Sequence, residues 1–142
     1  MTMRAMRPEE ADVFAAMEAG DRPYPWTAEH FLGAAKPPSA VVVWEESGKV
    51  HGYAALQVVG DEAYLQNLMV PPAQRRRGLG KALLQKVMMW ARERGALRLV
   101  LDVAAANAAA IRLYDGAGFV GLERRRAAYP RGEDALVMKK DL

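Results

Sequence analysis

The chain has 142 residues, 51% of them apolar and 26% charged, with a net charge of +3, no cysteine and two histidines. That length suits one domain with a core of its own, and the composition is that of a folded chain rather than a disordered one. The missing cysteines exclude disulfide frameworks, zinc clusters and thiol nucleophiles, and two histidines argue against a histidine metal site. The mild basic excess is too small for a nucleic-acid surface. Residues 1–7 lead straight into Pro8-Glu9-Glu10 without an apolar leader, and no run reaches membrane-spanning length, so a soluble cytoplasmic protein is expected.

Residues 2–7 alternate polar and apolar side chains as a first strand does. Pro8, with Glu9 and Glu10 behind it, opens a helix whose apolar face is read as Val13, Phe14 and Met17 and which Gly20 ends. The prolines of residues 21–26 force a loop, and Thr27 caps a short helix carrying Phe31 and Leu32. Lys36-Pro37-Pro38 stops that helix. Residues 40–44, 50–59 and 62–70 follow as an antiparallel meander, joined by turns at Ser47-Gly48 and Gly60-Asp61.

Residues 79–94 form the longest helix, burying Leu83, Leu84, Val87, Met88 and Ala91 and closed by Gly95. Residues 97–103 are then a strand after a crossover and should lie parallel to residues 62–70. A second polar helix covers about residues 107–115, and residues 119–127 and 135–139 close the chain as a hairpin with a long loop. The fold class is α/β: one domain over residues 1–142 with a mixed sheet.

Two stretches carry chemistry. In Gln74-Arg75-Arg76-Arg77-Gly78-Leu79-Gly80-Lys81, a glycine turn opens a helix, and the bared N–H groups and the positive end of the helix dipole suit a pyrophosphate. In the second stretch Asn107 and Tyr114 stand seven residues apart, nearly above one another on a helix face. One element holds phosphates and the other offers a polar pair, which reads as a site for a nucleotide-tailed cofactor. A nucleotide-hydrolysing P-loop is excluded, because no Ser or Thr follows Lys81.

The layout resembles the GNAT superfamily of N-acetyltransferases. Its Q/R-x-x-G-x-G/A motif is matched at Arg75, Gly78 and Gly80, and its Asn-x-x-Ala-x-x-x-Tyr-x-x-x-Gly-Phe motif at Asn107, Ala110, Tyr114, Gly118 and Phe119. A finer similarity is to the RimI-type and N-terminal protein acetyltransferases, carried by residues 65–70, Leu101-Asp102-Val103, Pro25-Trp26 and the ending from Tyr129 to Met138. The resemblance implies a GNAT fold with about seven strands and four helices, a central parallel pair splayed around acetyl-CoA, and no metal. It implies transfer of acetyl to the N-terminal α-amine of a protein, with the alanine of a small-subunit ribosomal protein as the expected acceptor.

By the same resemblance Leu68, Met69 and Val70 form the bulged strand along the pantetheine arm. Arg75, Arg76, Arg77, Gly78, Leu79, Gly80 and Lys81 wrap the pyrophosphate, and Asn107 contacts the arm. Tyr114 would be the acid. Asp102 stands where the group usually has a glutamate base, one methylene shorter, so a water between it and the amine is expected. Trp26, Tyr129 and Glu133 are candidates for the acceptor side, with Tyr24, Glu62 and Asp134 as further neighbours. Two other readings remain open on sequence: acetylation of a small amine or lysine, and a non-catalytic acyl-CoA-binding module.

Overall fold

Two left-handed residues, Ser47 at φ 53° and Gly48 at φ 75°, turn strand β2 (Ser39–Glu46) back onto β3 (Lys49–Val59). Gly60, at φ 62°, begins the turn from β3 into β4 (Glu62–Met69), and β1 (Thr2–Ala5) pairs on the outer side of β2. These are features of a computed structural model that describes residues 2–75 and 78–142. Arg76 and Arg77 therefore lie outside the described residues.

From β4 the chain crosses through helix α3 (Leu79–Glu93) to β5 (Arg98–Ala104), then through α4 (Ala108–Gly116) to the hairpin β6 (Val120–Arg125) and β7 (Ala135–Asp141). The described residues give one seven-stranded sheet in the order β1-β2-β3-β4-β5-β7-β6. Among the described residues only β4 and β5 are parallel neighbours, as a crossover helix requires. β4 carries a bulge, since Leu65 faces Leu56 and Asn67 faces Ala55, leaving Gln66 unpaired between them. The bulge thus precedes the Leu68–Val70 segment expected to carry it.

Each face of the sheet has its own core. Leu83, Leu84, Val87 and Ala91 of α3 pack with Leu65, Leu99, Leu101 and Tyr114 on one face. Helices α1 (Glu10–Ala19) and α2 (Ala28–Ala34) cover the other with Phe14 and Phe31. There Phe14 stacks on Tyr53 with centroids 4.4 Å apart, and Phe31 meets the same ring edge-on at 5.4 Å. The ends of α2 and α3 follow sequence cues. Thr27 Oγ1 accepts from His30 N at 3.3 Å, and Gly95 leaves α3 at φ 89°.

The helix faces depart from expectation for one reason: the true stripe of each helix is set by the sheet beneath it. Val13 is 59% exposed and Leu32 is 41% exposed, while α1 buries Ala11, Phe14 and Glu18. A polar residue thus sits where a hydrophobic one was expected. β1 stops at Ala5, because Pro8 and the start of α1 draw the chain off the sheet. β5 begins at Arg98, leaving Leu97 exposed, and β6 spans only Val120–Arg125.

Gly52 in β3 is a packing requirement. A Cβ there would stand 2.8 Å from the Met69 carbonyl oxygen and 2.9 Å from Leu83 Cδ2. Gly52→Ala should therefore cost about 1–3 kcal/mol of stability, the range for overpacking, read as a lower urea midpoint at unchanged slope. An unchanged midpoint would mean that β3 and β4 separate freely at this point.

Candidate active site

β4 and β5 pair only from Glu62–Arg98 to Leu65–Leu101 and share no ladder beyond. Each remains held on its outer side, β4 by β3 and β5 by β7. The widening gap opens a cavity of about 850 Å³ bordered by Leu68, Val70, Gly78, Leu79, Gly80, Asp102, Asn107 and Tyr114. A second cavity of about 660 Å³, bordered by His30, Tyr64 and Val100, lies next to it. Trp26, Leu65, Gln66, Leu101, Asp102 and Tyr129 border both, so the two cavities adjoin around Asp102.

The first wall is the start of α3. Gly78 takes φ 71°, a left-handed conformation that opens the helix without a side-chain cap, so the first-turn N–H groups are left for another acceptor. Gly80 lies beside Leu113 of α4, 3.6 Å from where a Cβ would reach. Arg75 borders the same cavity, and its donors are engaged by protein groups. Its Nε donates to the Val70 carbonyl at 3.0 Å, and its two terminal nitrogens grip Asp21 at 2.9 and 2.6 Å. This fork pulls the Asp21 carboxyl below its usual range. Lys81 is exposed and outside the cavity wall, and Met69 is buried in the α1–α2 core.

Tyr114 and Asn107 both border the cavity. Asn107 Oδ1 accepts from Ala110 N at 3.1 Å and so caps α4 from within the wall. Tyr114 is 8% exposed and packs on Phe119 with centroids 5.6 Å apart. Burial pushes its hydroxyl up to about 12, with the positive charge of Arg22 working in the opposite direction. The Asp102 side chain is 52% exposed, with Arg125 Nη1 at 3.8 Å.

Another stretch of the cavity border is built by two loops that meet. Tyr24 donates to Glu133 at 2.9 Å and accepts from Arg131 N at 3.0 Å, and its ring stacks on Tyr129 with centroids 5.7 Å apart. Glu133, Tyr129 and Trp26 are thus brought to the cavity as expected. Glu62 is tied to Arg98 at 3.0 Å at the far end of β4, and Asp134 braces its own loop through Arg124 and Ala127 N. His51 lies outside both walls, with Nε2 3.6 Å from Glu46.

Two residues escaped the sequence reading. Glu18 is fully buried, and its carboxylate accepts from Trp26 N at 3.0 Å, Tyr53 Oη at 2.7 Å and Asn67 Nδ2 at 2.6 Å. Burial and this carboxylate together hold the Tyr53 hydroxyl in its protonated, donating form. Arg22 donates to Asn67 Oδ1 at 2.8 Å and to the Leu68 carbonyl at 2.6 Å. The available signal for Glu18 was its position, seven residues after Ala11 and four after Phe14, on the buried stripe.

Residues 4–119 match the model of the acetyltransferase (GNAT) family. The chain is 38% identical over 135 residues to the ribosomal protein bS18-alanine N-acetyltransferase of Escherichia coli K12, covering 92% of this chain and 91% of that one. The crystal structure of the ribosomal-protein-S18-alanine N-acetyltransferase from Escherichia coli superposes with a TM-score of 0.89 at 34% identity, over 99% of this chain and 92% of that one. Ard1 from Thermoplasma volcanium shares the fold with a TM-score of 0.90 at 24% identity, covering 99% and 97%. Among the described residues no helix is long and apolar enough to cross a membrane.

The Arg75–Asp21 clamp carries a pH signature. Asp21 has a lowered folded-state value, so its contribution is complete above the ordinary carboxyl value of 3.8 and fades as pH falls below it. Melting of the native chain against Asp21→Asn should show a native advantage at pH 7 that shrinks below pH ~4. An advantage independent of pH would remove the charge from the clamp.

Proposed function

The chain belongs to the acetyltransferase (GNAT) family of acetyl-CoA-dependent N-acetyltransferases, and from that membership we propose that it acetylates the N-terminal α-amine of a protein, a ribosomal protein with alanine first. The observation that carries this reading is the joining of two cavities around Asp102. One is walled by the glycine turn and the parted strands, and the other by aromatic loops suited to a peptide end. The similarity to alanine N-acetyltransferases over almost the full length supports the acceptor.

The residues fit acetyl-CoA. Gly78 in its left-handed turn and the uncapped start of α3 supply N–H groups for a pyrophosphate, and the bulged half of β4 exposes an edge along the cavity. When bound, acetyl-CoA supplies an acetyl group activated as a thioester.

The chain then has two proton tasks. A protein α-amine, with a reference value near 7.7–8.0, is roughly one-tenth neutral at pH 7, whereas a lysine near 10.4 is neutral about once in 2,500 molecules. An α-amine therefore asks little of its base. Asp102, half exposed where the cavities meet, takes up the amine proton through a water. Tyr114 gives its proton to the departing sulfur. Its hydroxyl, at about 12, stands above an ordinary thiol near 8.5, so that transfer is uphill without assistance. Trp26 and Tyr129 border both cavities, and the Tyr24–Glu133 bridge braces the loops that carry them.

Mass spectrometry with acetyl-CoA and one alanine-first peptide containing an internal lysine, offered free and N-terminally blocked, tests the acceptor. Acetyl on the first residue of the free peptide alone is the expected result. Acetyl on lysine in both would move the chain to side-chain acetylation.

Tyr114→Phe should lower kcat by ~100-fold while cofactor affinity stays within ~3-fold. An unchanged kcat would remove Tyr114 as the acid. Asp102→Asn should depress kcat/KM most at low pH, where the amine is charged, and Asp102→Glu should retain activity. Matching pH profiles in all three forms would take Asp102 out of the chemistry.

A further inference from the structure

Two arginines, Arg22 and Arg75, border the large cavity beside the open half of β4. They come from different loops and meet at Met69, whose sulfur lies 3.7 Å from Arg22 Nη2 and 3.4 Å from Arg75 Nη2. Each holds a carbonyl next to Met69 in the chain. Arg22 Nη2 donates to Leu68 at 2.6 Å, and Arg75 Nε donates to Val70 at 3.0 Å.

Those two carbonyls belong to one edge. Along a strand, successive residues turn their backbone groups to opposite edges, and a residue's own N–H and C=O share an edge. Met69 is paired with Tyr53 of β3, and its carbonyl oxygen lies 2.8 Å from where a Cβ on Gly52 would stand. Met69 therefore serves the β3 edge, and Leu68 and Val70 serve the other. On that side β4 and β5 share no ladder past Leu65 and Leu101. No strand is there to fix the direction of these peptide groups.

The arginines supply the missing restraint, and both are themselves restrained. Arg22 Nη1 donates to Asn67 Oδ1 at 2.8 Å, and the Asn67 amide is oriented by its own donation to the buried Glu18 carboxylate at 2.6 Å. The terminal nitrogens of Arg75 are gripped by both Asp21 oxygens at 2.9 and 2.6 Å. All three nitrogens of Arg75 thus face protein oxygens already.

We propose that Arg22 and Arg75 are positioning residues for the arm of acetyl-CoA rather than ligands of its phosphates. By holding the Leu68 and Val70 carbonyls they keep the open edge of β4 extended. The N–H groups of the same two residues are then aimed at the arm before it arrives. An arm that carries amide and thioester carbonyls suits an edge that offers N–H donors. The phosphates are left to the Gly78 turn and the uncapped start of α3. This inference rests on the reading that acetyl-CoA occupies the large cavity with its arm along β4.

Calorimetry with two ligands separates the roles. One is acetyl-CoA, and the other is phosphoadenosine diphosphate, the nucleotide end without the arm. Arg22→Met and Arg75→Met should each weaken acetyl-CoA binding ~10-fold, the scale of one lost charged hydrogen bond, with the arm-free nucleotide within ~2-fold. Equal losses on both ligands would overturn the proposal, since a phosphate ligand or a general support of the fold would act on both. Unchanged affinity for both would overturn it as well.

Arg75→Lys keeps the charge but cannot span Val70 and both Asp21 oxygens. It should show the same one-sided loss, and it carries the test if Arg22→Met and Arg75→Met do not fold. Full acetyl-CoA affinity in Arg75→Lys would count against the proposal. If the native chain binds acetyl-CoA no more tightly than the arm-free nucleotide, the placement of the arm along β4 fails together with this inference. A native advantage for acetyl-CoA that survives in every variant sinks only the inference.

Discussion

β4 and β5 exchange hydrogen bonds over their first four residue pairs and then part, and the functional half of the molecule is built on that parting. A parallel pair inside an otherwise antiparallel sheet can open this way because each strand keeps a ladder on its other flank. The cost is a row of backbone groups with no strand partner in the interior. Two arginines from separate loops meet part of that demand, Arg22 on the Leu68 carbonyl and Arg75 on the Val70 carbonyl. The same opening admits the ends of α3 and α4. A glycine-opened helix start, a capped helix start and a carboxylate then face one space.

Opening a sheet in its middle would leave a soft seam if nothing bridged it. Glu18 braces the β3–β4 side of the opening from α1. One buried carboxylate joins the backbone at Trp26, the phenol of Tyr53 on β3 and the amide of Asn67 on β4. Such a group is tolerated in a core only because donors surround it. On the outer side, Tyr24 reaches across to Glu133 and stacks on Tyr129, tying the loop after α1 to the loop before β7. The aromatic loops and β4 are therefore parts of one hydrogen-bonded frame.

Much of this was legible in sequence. The Ser47-Gly48 turn, the Thr27 and Asn107 caps, the Gly78 turn and Gly95 act through local chemistry, and each appears where its residue type requires it. The motif residues Gly78, Gly80, Asn107 and Tyr114 do border one cavity. Arg75 shows the limit of motif reading. Its motif does bring it to the cavity border, yet nothing in the motif foretold its grip on Val70 and Asp21. The acidic partner lies 54 residues earlier in the chain, out of reach of any local pattern.

By itself, the sequence determined the elements, the crossover that makes β4 and β5 parallel, the glycine turn and the family. All of these depend on residues within a few positions of one another or on a pattern read along the chain. Tertiary structure alone decided where the strands part, which face of α1 is buried, and how Glu18, Arg22, Asn67 and Leu68 come together. Those contacts join residues more than 40 positions apart, and whether a carboxylate is buried or solvated depends on which donors the rest of the fold delivers to it.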